Sequence, residues 1–259
     1  MMRLVTLEAP RDTPSTGRVA LITGAAQGIG AAFAERLARD GFDIAIIDLT
    51  EPTEVAQRVR DIGREIHVVC GDLSVEEEAE ALVGQVIAHT GRVDVLCPNA
   101  ALHSMMAFED IPTRYRKLMA VNVDQLFTLS RGVLPGMRER GWGRIVATSS
   151  HSFYAGTPGY VDYVASKGAV IGFVRGLAAE VGVHGITVNS IAPGLTRTPT
   201  TMSEKNIAGG VFERVAAAQA IKRSIVPGDL VATLSLLCSD GASMITGQTI
   251  VIDGGGVYL

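Results

Sequence analysis

Short runs of β-branched and aliphatic residues recur along the chain at Val19–Thr23, Asp43–Asp48, Ile66–Cys70, Asp94–Pro98, Gly143–Ser149, Thr187–Ile191 and Thr249–Ile252. Most are continuous apolar stretches without alternation, the pattern of strands covered on both faces. Helical periodicity fills the intervals, as in Ala31–Arg39. Ser74-Val75-Glu76-Glu77 has the form of a capping box, and Pro52 and Pro112 suit first-turn positions. Regular strand–helix alternation predicts βαβ units, and so an α/β fold: a doubly wound, seven-stranded parallel sheet with helices on both faces, in three α/β/α layers. No repeat, low-complexity stretch or linker interrupts it, so one domain is expected over 18–259, behind an extended leader over 1–17. After Ala192-Pro193-Gly194 the rhythm breaks until Pro227. An insertion of that kind, here about 195–226, lies beyond a strand's carboxyl end, where a substrate lid would sit.

Composition narrows the class. The chain has 259 residues, 23 Lys plus Arg against 27 Asp plus Glu, and a net charge of −4, which argues against a nucleic-acid footprint. No apolar run approaches the ~18–20 residues of a membrane span. Met1 to Gly17 lacks the apolar core of a signal peptide. A charged fraction of 19% and a mean hydropathy of +0.27 describe a globular chain. They also leave more apolar residues than a monomer's surface comfortably shows, so an oligomer is expected. Cys70, Cys97 and Cys238 are odd in number, far apart and set in apolar surroundings. They read as buried free thiols, with no disulfide framework or metal pair, and a cytoplasmic location follows.

The first strand runs into Thr23-Gly24-Ala25-Ala26-Gln27-Gly28-Ile29-Gly30 and then a helix. Glycines there let the backbone turn tightly and approach a pyrophosphate, while the helix N-terminus offers free N–H groups. The spacing G-x-x-x-G-x-G departs from the general G-x-G-x-x-G fingerprint, and a strand-to-helix corner can use glycine for structure alone. Its place after the first strand favours a nucleotide. The second strand ends in Asp48, eighteen residues past Gly30. A carboxylate there accepts hydrogen bonds from an adenosine ribose and repels a 2′-phosphate, and neither Gln27 nor Leu49 supplies a compensating cation, so NAD is expected over NADP. Asp72-Leu73 and Asn99-Ala100 follow the third and fourth strands at equivalent carboxyl-end positions.

Tyr163 and Lys167 stand four residues apart, on one face of a helix at ~5–6 Å. An ammonium so close is expected to favour the phenolate and lower the tyrosine pKa, making an acid/base pair. Upstream, Ile145–Ser150 carries hydroxyls to the end of the fifth strand, where Ser149 or Ser150 could polarise a carbonyl oxygen or simply cap a loop.

Together these motifs resemble the short-chain dehydrogenase/reductase superfamily in its compact, NAD-dependent form, over nearly all of the chain after the leader. Thr23–Gly30 is similar to its T-G-x-x-x-G-x-G turn, Asp48 to its NAD-selecting acid, Asp72 to its adenine contact, and Pro98-Asn99-Ala100-Ala101 to its N-N-A-G. Asn122, Tyr163-x-x-x-Lys167 and Asn189-Ser190-x-x-Pro193-Gly194 match further elements, and the family's spacing of thirteen before the tyrosine selects Ser150. The resemblance implies a Rossmann-type fold. It also implies NAD held by Gly24, Gln27, Gly28, Ile29, Gly30, Asp48, Asp72, Leu73, Asn99, Ala100, Tyr163, Lys167, Pro193 and Gly194, with Thr196 and Thr198 beside the carboxamide. The implied reaction is hydride transfer between a carbinol carbon and nicotinamide, with no metal. Tyr163 would be the acid/base, with Ser150 on the substrate oxygen; Lys167 would lower the tyrosine pKa and bond the nicotinamide ribose, and Asn122 would anchor a water of the proton path. Pro98 and Ala101 depart from the pattern, and the methyl of Ala101 fits only with a negative φ.

The expected pocket draws on Leu102–Phe108, His151–Tyr154, Leu195 and the lid around Met202, with Ser150, Phe153, Tyr163, Leu195 and Met202 as substrate contacts. Apolar and aromatic walls suit a secondary alcohol or ketone bearing a ring or chain. The region Ser152–Phe173 is also similar to NAD-dependent phenylethanol and pyridoxal dehydrogenases. Arg197 and Lys205 could serve an anionic group; His103 and His151 read as loop histidines or as substrate contacts, without metal-ligand spacing. Two other readings compete. An NADPH-dependent carbonyl or 3-oxoacyl-thioester reductase is disfavoured by Asp48 and the lack of a basic patch. A non-catalytic nucleotide sensor is disfavoured by the intact Asn122, Ser150, Tyr163 and Lys167. The tail from Thr246 to Leu259 is similar to the family's last strand, which packs at a tetramer interface, so a homotetramer with a small-molecule substrate is expected.

Overall fold

The apolar runs assemble side by side, in a computed structural model that describes residues 17–103, 105–111, 114–202 and 209–258. Residues 1–16, Pro112 and Lys205 lie outside the described residues, as does the middle of the expected lid. The strands are β1 (Val19–Thr23), β2 (Asp43–Asp48), β3 (Ile66–Cys70), β4 (Val95–Cys97), β5 (Gly143–Thr148), β6 (Ile186–Pro193) and β7 (Thr249–Ile252). They pair in parallel in the order β3-β2-β1-β4-β5-β6-β7. Interleaved with them are helices α1 (Gly28–Arg39), α2 (Thr53–Asp61), α3 (Glu76–Thr90), α4 (Arg114–Met119), α5 (Gln125–Arg140), α6 (His151–Ala155), α7 (Val161–Val181), α8 (Val211–Ala218) and α9 (Val231–Cys238).

Continuous apolar strands follow from cover on both faces. In β1, Val19 and Leu21 join a core with α3, α5 and α7, while Ala20 and Ile22 join a second core with α1, α2 and α9. Each fully buried Leu or Ile there stabilises the fold by ~1.5–3 kcal/mol. The fourth strand is shorter than its apolar run. Asp94, just before it, still pairs through its backbone, donating to the Val19 carbonyl at 2.8 Å and accepting the Arg144 N–H at 2.9 Å, while its carboxylate accepts the Val19 N–H at 2.9 Å and is clasped by Arg92 and Arg140. Pro98 has no N–H to continue the ladder.

Three local expectations need correction. Ser74 does not cap α3: Val75 holds the N-cap position with no side-chain cap. Asp72 competes successfully, accepting the Ser74 N–H at 2.8 Å, while Glu78 accepts the Asp72 N–H at 2.7 Å. Pro52 occupies the N-cap of α2, one position before the first turn. Cys97 and Cys238 are buried, but Cys70 is exposed, because it ends the edge strand β3 with its Sγ 3.4 Å from a Glu51 carboxylate oxygen. Among the described residues, no helix is long and apolar enough to cross a membrane.

Candidate active site

All seven strands deliver their carboxyl ends to one edge, and the strand order reverses between β1 and β4. A crevice opens at such a switch point. Here it is a cleft of about 1660 Å³. Of the residues expected to hold a nucleotide, all but Gly30 line it. The glycines have separate reasons. Gly24 (φ +65°) lies on the fourth strand's exit, where a Cβ would stand 2.7 Å from the Ala100 Cα; one on Gly30 would stand 2.7 Å from the Asn99 amide nitrogen. At Gly194 a Cβ would press on Ile225 and Asp253, at 2.7 and 3.0 Å, so that glycine serves protein packing. The helix behind the turn has neither a side-chain cap nor an acid in its first turn. Its free N–H groups and positive dipole end suit the pyrophosphate of a nicotinamide dinucleotide.

Polar side chains brace this edge. Asp48 accepts the Ala26 N–H at 2.8 Å, fixing the glycine turn against β2. Thr23 is buried beneath the turn; its hydroxyl accepts the N–H groups of Asn99 and Ala100, both at 3.0 Å, and donates to Gln125. Asn99 donates to the carbonyls of Thr23 and Gly24 at 3.1 Å. Asp72 is paired with Lys117 at 3.1 Å, and its carboxyl is held below the usual range, chiefly by hydrogen bonds from Ser74. Thr23 was marked only as the first residue of the glycine turn, and Gln125 and Lys117 were invisible as site residues because nothing local marks them. Ala101 has the negative φ it requires, since no described non-glycine residue has a positive one.

At the centre of the cleft, the Ser150 hydroxyl stands beside Tyr163, where it eases the ionisation of the phenol, and Lys167 Nζ lies 5.5 Å from the tyrosine ring centroid. Ser150 is the N-cap of α6, accepting the Ser152 N–H at 3.1 Å. Lys167, 2% exposed, donates to the Thr148 carbonyl at 2.7 Å. The expected lowering of the tyrosine pKa is not found in the protein by itself. Burial pushes Tyr163 up to about 12 against the opposing influence of the Ser150 hydroxyl, and pushes Lys167 down to about 8. Desolvation outweighs an ammonium at that distance. A neutral phenol donates a proton well; it becomes a base only on deprotonation.

Asn122 stands in a π-helical turn, Ala120–Asp124, between α4 and α5, a rare element often found at functional sites. Its side chain is committed to protein. Nδ2 donates to the Leu102 carbonyl and the Ser166 hydroxyl, both at 3.0 Å, and Oδ1 accepts the Leu102 N–H at 2.8 Å. That side chain braces the loop after β4 against α7 rather than reaching the cleft.

On the substrate side, Leu195, Ser150 and Tyr163 line the cleft, whereas Phe153 and Met202 do not. Phe153 instead covers Gly168 on α7, where a Cβ would stand 2.7 Å from its ring, and Met202 sulfur lies 3.6 Å from Arg197. Arg197 is itself paired with Glu213 at 3.2 Å. The expected lid joins back to its own start through a bridge between Thr196 and Ile225, and its helix α8 contributes Val211, Arg214, Val215 and Ala218 to the wall. Sequence reasoning missed these, and also Tyr160, whose ring centroid is 5.9 Å from that of Tyr163. Among the described residues, no group of three or more His, Cys, Asp or Glu side chains is placed to hold a metal ion.

A family model described as enoyl-(acyl carrier protein) reductase matches residues 24–256. A short-chain dehydrogenase/reductase of Armillaria gallica is 37% identical over 254 residues, covering 94% of this chain and 97% of its own. Among solved structures, one assigned as an NAD(P)-dependent gluconate 5-dehydrogenase from Beutenbergia cavernae, with NADP bound at low occupancy, superposes with a TM-score of 0.87 at 35% identity, covering 94% and 99% of the two chains. Carveol dehydrogenase from Mycobacterium avium, in complex with NAD, gives 0.87 at 25% identity, covering 94% and 98%. The chain therefore belongs to the short-chain dehydrogenase/reductase family of nicotinamide-dependent oxidoreductases.

Proposed function

We propose that this protein is an NAD(H)-dependent oxidoreductase interconverting a secondary alcohol and a ketone, with Tyr163 as acid/base. The observation that carries the reading is the gathering of Ser150, Tyr163, Lys167 and Asp48 along one cleft, with the Ser150 hydroxyl beside Tyr163. A nicotinamide nucleotide bound along the carboxyl edge supplies the acceptor or donor of hydride. Tyr163 Oη takes the hydroxyl proton in oxidation and returns it in reduction, while Ser150 Oγ holds the substrate oxygen. Lys167 and Tyr163 would hold the nicotinamide ribose, Thr196 and Thr198 the carboxamide, and Asp48 the adenosine ribose. Apolar cleft residues such as Leu195, Met105 and Val211 support a substrate with a ring or chain.

The choice of NAD rests on charge. The cleft corner beyond β2 carries Asp48, Glu51 and Glu54 and no basic residue from the same segment, so a 2′-phosphate would meet three acids. A family model named for an acyl-carrier-protein substrate, together with a structural neighbour that holds NADP, favours a second reading, an NADPH-dependent carbonyl or 3-oxoacyl-thioester reductase. Fluorescence titration with NADH and NADPH separates the two, because tighter NADPH binding would overturn the first. Turnover on a panel of secondary alcohols with NAD tests the activity itself.

Exposed Phe127, Met244 and Tyr258 support assembly into a homotetramer, and a monomer by light scattering would contradict it. A cytoplasmic setting fits free thiols.

A further inference from the structure

Directly after Ser150, the side chain of His151 also lines the cleft. Its Nδ1 lies 2.7 Å from Asp253 Oδ2. Asp253, 5% exposed, is held in turn by the N–H groups of Gly255, Gly256 and Val257, at 2.9, 3.0 and 2.8 Å. A carboxylate only accepts, so Nδ1 carries the proton of this contact and the ring's tautomer is set. The ring edge is fixed as well, since a Cβ on Gly256 would stand 3.2 Å from His151 Cε1. Nε2 is left with no protein partner among the described residues. Gln219 lines the same wall, 3% exposed and packed on Gly254, with its amide nitrogen on the Arg223 carbonyl at 3.5 Å.

Holding a tail down needs only the three amides on Asp253. An oriented imidazole with one open nitrogen, one residue from the group that would hold the reacting oxygen, has a different use. We propose that His151 is a specificity-determining residue, whose Nε2 binds a second hydroxyl on the substrate, so that the enzyme prefers a diol or hydroxy ketone to the corresponding simple alcohol or ketone. This rests on the secondary-alcohol reading above. It departs from the expectation of an apolar substrate in one respect: the pocket holds a ring or chain that is itself hydroxylated. A site built to hydrogen-bond a hydroxyl discriminates against the analogue that lacks it, because its own polar group is then left unpaired.

The test compares trans-1,2-cyclohexanediol with cyclohexanol by calorimetry, with NADH present so that neither alcohol is turned over. The expected result is an affinity for the diol about tenfold or more higher, and a ratio near one in His151→Phe, which keeps a ring but no hydrogen bond. His151→Gln, which retains a polar end, should recover part of the preference. A role confined to bracing the tail would lower the melting temperature and weaken both alcohols alike, leaving the ratio unchanged. Equal affinities in the wild type, or a preference that survives in His151→Phe, would overturn the proposal. Because the ratio is read from binding, absence of NAD-dependent oxidation would count against the proposed activity alone.

Discussion

Ser149 and Ser150 are neighbours that serve different elements: Ser149 Oγ donates to the Lys167 carbonyl at 3.0 Å, while Ser150 faces the Tyr163 hydroxyl. Alternation at the end of β5 sends one hydroxyl into the α7 backbone and the other into the cleft. Ser150→Ala is expected to lower kcat/KM by ~10²–10³, the usual effect of deleting one donor to a developing oxyanion. Ser149→Ala should cost ~1 kcal/mol of stability, that of a hydrogen bond, with kcat little changed. Steady-state kinetics and thermal melts on both variants check this, and a larger kinetic loss in Ser149→Ala would reverse the assignment.

Tyr163→Phe removes one oxygen from a ring held between Tyr160 and His103, whose centroids lie 5.9 and 6.3 Å away. Packing and Lys167 are retained, so NADH affinity should fall by no more than about tenfold, the loss of one ribose hydrogen bond, while turnover falls by at least ~10², the low end of what a positioned acid/base contributes. Turnover that persists in this variant would remove the tyrosine from the mechanism.

The pH profile should differ between directions. Burial holds the Tyr163 proton up to about 12 and lowers Lys167 to about 8. Oxidation needs the phenolate, whose fraction grows with pH below that value, so kcat/KM for the alcohol should climb through the alkaline range. Ketone reduction needs the phenol and should stay flat or fall over the same range. Parallel profiles in the two directions would mean that another group moves the proton.

Asp48 has two tasks, receiving the Ala26 N–H at 2.8 Å and facing the ribose corner. Asp48→Asn preserves an acceptor for the first and removes the charge that opposes a phosphate. The ratio of kcat/KM with NADP to that with NAD should therefore rise by about tenfold or more. An unchanged ratio would place cofactor selection on Glu51 or Glu54.

How much of this was legible depends on range. The ends of β1, β2, β3 and β7 coincide with their β-branched and aliphatic runs, and β1, buried throughout, is apolar up to Thr23 because both of its faces are covered. The glycine turn was legible for a local reason, since positive φ at Gly24 and Gly28 asks for glycine whatever surrounds it. Phe153 and Met202 were misplaced for the opposite reason: their chain positions adjoin the cleft, but the space over Gly168 and beside Arg197 decides where they go. The tyrosine pKa failed similarly, as helical spacing fixes the distance to Lys167 and says nothing of burial. The His151–Asp253 pair joins residues 102 positions apart, and only the closed sheet brings them together.

His67 on the edge strand β3 stacks on His89 of α3, with centroids 3.8 Å apart and rings inclined by 10°. The His67 pKa is lowered, first by burial and then by the neighbouring His89. A histidine whose folded pKa lies below its unfolded value of ~6.5 favours folding while both states are neutral. Its contribution is therefore present above that pH and is lost as the pH falls toward the folded value, where protonation sets two like charges face to face. The melting temperature should drop between about pH 7.5 and about pH 5.5, and His67→Gln should shrink the drop by removing one of the two charges. A variant that loses as much stability as the wild type across this interval would assign the acid sensitivity elsewhere.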